Sequence, residues 1–321
     1  MSWKRTLLLF LILGVVISFY YQKSKTLPFL LQSKAISLST TPESPYILQL
    51  KDGETINHIV LEDFSKKTEV VFEATKPHVW RITKPVNYPA EPIIVDGFNS
   101  LLRLTPRVRE LSFEGLSPSE FGFDHPRFKV CLSTNMVQKE KCLMVGSDAV
   151  VAQARYARWD DEPKFFLVGQ TFVDAFDKSL YSLRRKQIFA LLEGQVRSVH
   201  FRSTDRELDI RRDGKRWLLE KPRESIVGSQ AVNEILSQLN NLFVKEFLDH
   251  ERWQDVRLGF KSASYLVRVV FDDGSEQVLI RGNEAAGRDA YYGRTQGEDA
   301  VFLISLGKFK KVENAFRALV S

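Results

Sequence analysis

Few residues in this chain stand at spacings that could do chemistry. Cys131 and Cys142 flank a turn over 133–141, and each sits in a short β-like run, Phe128–Leu132 and Cys142–Val145. Facing one another across a hairpin, they could form a disulfide in an oxidising space. The competing reading is two small apolar residues in a sheet, and neither has the CxxC spacing of a redox or zinc site. The five histidines are His58, His78, His125, His200 and His250. None lies i, i+4 from another or beside a cysteine, so a metal site has no local signature. Asp124-His125-Pro126 is the most site-like trio, but it reads as the end of a turn. Asp160-Asp161-Glu162 could hold a cation, yet it falls between two strand-like runs and reads as a polar hairpin tip. There is no Gly-x-Ser-x-Gly elbow and no phosphate-cradling loop. The expectation is a non-enzyme with no catalytic, cofactor-binding or metal-binding residues and no cofactor.

The aromatic residues say more, because they repeat. Trp80-Arg81-Ile82-Thr83-Lys84-Pro85 is answered 137 residues later by Trp217-Leu218-Leu219-Glu220-Lys221-Pro222. Phe121-Gly122-Phe123 returns as Leu258-Gly259-Phe260 at the same offset. Tyr156-Ala157-Arg158 returns as Tyr292-Gly293-Arg294, and Phe166-Leu167-Val168 as Phe302-Leu303-Ile304, both 136 residues on. A duplicated unit of this size is a domain in its own right. Trp80 and Trp217 could stack on a sugar, but each precedes a Pro turn amid alternating apolar residues and reads as a core anchor. Pro85, Gly122, Pro222 and Gly259 read as the matching turn anchors. Tyr156 and Arg158, with Tyr292 and Arg294, stand at equivalent places and could line a shared groove. Exposed strand edges offer another route to a partner, by strand addition.

The elements that must position these residues follow from periodicity. Each copy opens with alternating strands, 58–61, 69–72 and 79–82, then 198–201, 207–210 and 216–219. Asp213-Gly214 is a strong hairpin signal, since Gly accepts positive φ. An amphipathic helix follows each Lys-Pro, starting at Pro92 in the first copy and capped by Ser229 in the second. Val95, Phe98 and Leu102 match Val232, Ile235 and Leu239, so both copies keep one helical face. Further strands and a closing amphipathic segment complete each copy. The spacing predicts an α+β protein of two tandem homologous domains, mainly antiparallel sheet with packed helices, over 46–190 and 191–321. A hinge is expected near 182–192.

The N-terminus predicts one transmembrane helix. Lys4 and Arg5 precede an apolar run from Leu7 to Tyr21, and Lys23 and Lys25 follow it. The run is near the lower limit of the roughly 17–25 residues that span a bilayer. No good cleavage site follows, which favours an anchor over 1–25 rather than a signal peptide. Residues 26–45 are rich in Ser, Thr and Pro and read as a tether. Composition is that of a globular protein, 44% hydrophobic and 27% charged. The net charge is +6, but the bases are interleaved with acids, so nucleic acid is not an expected partner. The densest spots, Arg184-Arg185-Lys186, Arg211-Arg212 and Lys308-Phe309-Lys310-Lys311, read as solvated faces.

The Trp-x-x-x-x-Pro turn, the amphipathic helix, the aromatic-Gly-aromatic turn, the Tyr-Ala-Arg-like strand and Leu183-Arg184-Arg185-Lys186 together resemble an uncharacterised bacterial family, domain-of-unknown-function family 4340. The resemblance covers roughly residues 45 to 321. It implies an envelope protein held by one span in the bacterial inner membrane, with its body facing the periplasm. It also implies an accessory, non-catalytic role beside a membrane complex such as an ABC-type permease, and supplies no catalytic residues. The alternative expectation is a periplasmic ligand-binding or hydrolytic protein with a cleft between the two repeats.

Overall fold

The structure, a computed structural model, describes residues 46–150, 153–263 and 265–320. The anchor and tether expected over 1–45 lie outside the described residues. No helix among the described residues is long and apolar enough to cross a membrane.

The chain is mainly β, with two nine-stranded antiparallel sheets and five α-helices among the described residues. The first sheet contains β1 (Ile56–Asp63), β2 (Thr68–Lys76), β3 (Val79–Lys84), β4 (Tyr88–Pro89), β5 (Val108–Ser112), β6 (Phe128–Thr134), β7 (Lys141–Asp148), β8 (Ala154–Trp159) and β9 (Lys164–Gly169). Between β4 and β5 runs α1 (Pro92–Leu104), and after β9 come α2 (Gln170–Phe176) and α3 (Leu180–Leu183). The second contains β10 (Val196–Arg202), β11 (Glu207–Asp213), β12 (Arg216–Lys221), β13 (Ser225–Val227), β14 (Val244–Phe247), β15 (Tyr265–Phe271), β16 (Glu276–Ala285), β17 (Ala290–Thr295) and β18 (Phe302–Ser305). Its helices are α4 (Ser229–Asn240), between β13 and β14, and α5 (Leu306–Arg317).

The two sheets have one topology. The strand order is β4-β3-β2-β1-β6-β7-β8-β9-β5 in the first and β13-β12-β11-β10-β15-β16-β17-β18-β14 in the second. Each strand thus has a counterpart at the same place. Lys84-Pro85 and Lys221-Pro222 are both cis peptides. Trp80 and Trp217 are buried in the two main cores, as are Val95, Phe98 and Leu102 on α1 and Val232, Ile235 and Leu239 on α4. Ser229 is the first helical residue of α4 rather than its cap, which falls on Gly228.

Helices cover one face of each sheet, so strands read apolar-in, polar-out. β15 buries Val267 and Val269 and leaves Arg268 exposed. Near one edge the other face is covered too. In β9, Phe166 and Val168 enter the main core, whereas Phe165 packs in a second aromatic nest with Phe121 and Phe123. A 3-10 turn, Pro118–Phe121, carries that nest, and Val256–Leu258 does the same in the second module.

Each turn ends on a left-handed glycine, Gly122 (φ 75°) and Gly259 (φ 78°), a region that costs other residues energy. Each turn also presses on a strand glycine. A Cβ on Gly146 would lie 2.2 Å from the Phe121 carbonyl oxygen, and one on Gly282 2.0 Å from that of Leu258. Main chain cannot yield as a flexible side chain can. Gly282→Ala is therefore expected to destabilise the protein by about 1–3 kcal/mol, the usual range for overpacking. Gly194→Ala, where an added Cβ meets nothing, should stay within about 0.5 kcal/mol of the parent. Urea unfolding midpoints of the two variants check this.

Candidate functional site

The segment between the modules is hydrogen-bonded on both sides, through the isolated bridges Ala90–Arg184 and Gln187–Phe243. On one side Arg185 donates its N–H to the Pro89 carbonyl (2.9 Å) and Glu91 donates to Leu183 (2.8 Å), beside the edge strand β4. On the other, Val244 of the edge strand β14 donates to Lys186 (2.8 Å) and Ile188 donates to Leu242 (3.1 Å). The Tyr181 hydroxyl adds a bond to the Val244 carbonyl at 3.1 Å. Six residues, Leu183–Ile188, thus pair with an edge of each sheet. This segment is also the counterpart of the chain leading into the first module. Tyr46 bridges Pro106 as Gln187 bridges Phe243, and Pro106 and Phe243 are themselves 137 residues apart.

Side chains close the seam around this segment. Arg81 on β3 grips Glu298, in the β17–β18 turn, through two parallel bonds of 2.9 and 2.5 Å. This is the bidentate geometry that makes guanidinium–carboxylate pairs strong. The bond from Glu298, ahead of opposing burial, raises the Arg81 pKa. Tyr88 packs edge-on against Phe247, ring centres 5.0 Å apart, and burial pushes its pKa up to about 12. Arg184 is only 1% exposed, with its guanidinium 4.5 Å from the centre of the Phe247 ring. It donates from Nη1 to Asp249 at 2.7 Å. Two clefts flank Tyr88. One of about 360 Å3 is bounded by Asn87, Arg184, Asp249, Trp253 and Asp299. The other, about 320 Å3, lies among Arg185, Gln277, Gln296 and Glu298.

The residues singled out in the sequence fall elsewhere. Tyr156 packs on Phe121 and Phe165, and Arg158 stacks over Phe113 and Phe123. Arg294 stacks over Trp253, and burial lowers its pKa; Tyr292 packs against the cluster holding Leu258 and Phe260. Each Tyr/Arg pair serves its own module's aromatic nest, so the two pairs do not meet in one groove. Cys131 and Cys142 are direct cross-strand partners of β6 and β7 and are joined in a disulfide. Asp160-Asp161-Glu162 forms the tip between β8 and β9, where Glu162 takes bidentate bonds from Arg107 (2.5 and 2.9 Å). Burial would raise the Glu162 pKa, but bonds from Arg107 and Lys141 outweigh it and hold the group low. His200, Glu207 and Asp209 offer three ligand atoms in one place. Lys221 already bonds Glu207 (2.9 Å) and Asp209 (3.1 Å), supplying the charge a cation would bring. Among the described residues, no histidine hydrogen-bonds a hydroxyl or thiol.

The seam residues escaped the sequence reading. Arg184 belongs to a basic run taken for a solvated face, yet it is buried. Glu298 did leave a signal: it is the 136-residue counterpart of Glu162, and both glutamates hold an arginine from a hairpin tip.

The Arg184–Asp249 pair is lopsided, because Asp249 is 48% exposed. Removing the carboxylate strands a buried cation, whereas removing the cation leaves an anion that water can reach. Asp249→Ala is expected to cost about 3 kcal/mol, the lower end of the range for breaking a buried pair. Arg184→Met, which keeps packing on Phe247, is expected to cost less. Chemical denaturation of both variants checks the order.

No curated protein and no solved structure matches the chain. A family model described as a domain of unknown function (DUF4340) matches residues 80–262, running from Trp80 through the connecting segment and past Gly259. The match covers more than half of the chain and spans the seam between the modules, so the chain belongs to the DUF4340 family.

Proposed function

We propose that the chain is a single-span, envelope-exposed accessory subunit of the bacterial inner membrane, holding a two-module body beside an ABC-type transport or related complex. The observation that carries this reading is the Cys131–Cys142 disulfide. Such bonds persist in oxidising spaces and are rare where cellular thiol systems keep cysteines reduced. The apolar run over 7–21, with its basic flanks, supplies the anchor that would leave the body on the periplasmic side. The transport partner is what the resemblance to this family implies; the family's own description, a domain of unknown function, names none. The role is binding rather than catalysis.

A second reading, a ligand-binding or hydrolytic protein with its site between the repeats, draws support from the seam clefts. Asp249, Glu251 and Asp299 border one of them. All three are engaged, by Arg184, Arg257 and Trp253 respectively. That favours the binding half of the reading over a free catalytic base.

In spheroplasts, a membrane-impermeant maleimide is expected to label Cys131 and Cys142 only after reduction. Labelling that requires lysis but no reductant would place the body in the cytoplasm and end the proposal. Crosslinking in the native membrane is expected to recover an integral-membrane permease subunit with the chain.

A further inference from the structure

The two modules differ beneath α1 and its counterpart α4. Between α1 and the ends of β1 to β3 lies a cavity of about 460 Å3, within the size range of small-molecule sites. Asn57 on β1 and Asn99 on α1 both border it. Each carries a buried Oδ1 with no hydrogen-bond donor. A buried polar atom left unpaired is costly, so two on residues that border one cavity call for a partner. The terminal torsion of asparagine is soft, so rotation of either carboxamide would bring its oxygen to the cavity wall, where a ligand could donate to it.

In the second module the corresponding positions carry different residues. The counterpart of Asn99 is Leu236, buried in the core. The counterpart of Arg103 is Asn240, whose carboxamide holds Leu191 by two bonds, from Leu191 N–H (2.8 Å) and to its carbonyl (2.9 Å). That draws Leu191 into the core. The matching Leu50 of the first module is only partly buried and borders the cavity. The same helix position thus carries a buried leucine in one copy and a cavity-lining asparagine in the other.

We propose that the first module alone binds a neutral polyhydroxylated ligand, a saccharide or polyol, in this cavity. Both orphan oxygens require a donor, and hydroxyl groups supply donors in number. The charged groups at the rim balance, Glu54 and Asp96 against Lys76 and Arg103, so no net charge is selected. Planar carboxamide, carboxylate and guanidinium groups suit the paired hydroxyls of a sugar ring. Trp80 forms an apolar floor.

The test uses the full chain in lipid nanodiscs, which avoids sugar-headed detergents. Calorimetric titration with glucose, galactose, N-acetylglucosamine, maltose and chitobiose is expected to show saturable binding of at least one. Asn99→Leu, which installs the second module's own residue, is expected to weaken that binding tenfold or more without lowering the unfolding midpoint. Asn57→Ala is expected to weaken it as well. Binding of a disaccharide over its monosaccharide would indicate a glycan chain, and equal binding a free sugar. The proposal is overturned if no saccharide binds, if Asn99→Leu binds as the parent does, or if only charged controls such as glutamate or spermidine bind.

Discussion

The connection Leu183–Ile188, hydrogen-bonded to both sheets, is the constraint on which the rest of the molecule depends. A connection that pairs with an edge of each sheet cannot act as a loose tether, because movement of one module would break main-chain hydrogen bonds on one side or the other. It also spends two sheet edges that would otherwise be open to other chains. The same pairing buries Arg184. A charged side chain is then kept at the seam by an aromatic ring and a single carboxylate, an arrangement stable only while both modules stay in place.

Duplication explains what the halves share, and divergence explains where recognition resides. Core residues, the cis-proline turns and the glycine contacts recur because one topology demands them twice. The seam does not recur. Arg81 corresponds to Leu218, Tyr88 to Ser225 and Phe247 to Glu110, while Glu298's counterpart, Glu162, is occupied within its own module by Arg107. The docking surfaces are thus particular to this first-to-second contact. The polar cavity beneath α1 is a difference of the same kind, a place where one copy was released from its packing role.

Much of the fold was legible because it is written in local periodicity and repeated. The Trp80/Trp217 echo, the shared helix face and the Gly122/Gly259 turns located the duplication and most strands. The short edge strands β4 and β13 were missed, since two or three residues carry no alternation. The bonds that tie the connecting segment to both sheets left no signal, because its polar residues look like a linker until both partner edges are known. Arg184 was read as solvated for a similar reason: its burial comes from Phe247 and Asp249, more than sixty residues away. The cysteines were readable as a hairpin pair, although their spacing alone left the bond open. Asn57 and Asn99 gave no signal, as an asparagine next to a cavity looks like any surface asparagine until the copies are superposed.

A direct test of the account is the distance between the modules in solution. Ser100 on α1 and Ser237 on α4 are exposed counterparts, 137 residues apart. Both native cysteines are joined to each other and no free cysteine is present among the described residues. Spin labels on a Ser100→Cys/Ser237→Cys variant would therefore report only this separation. A seam held by a connection bonded to both sheets predicts one narrow distance distribution in pulsed dipolar spectroscopy. A broad or multimodal distribution would show modules moving on a flexible link and would contradict the account.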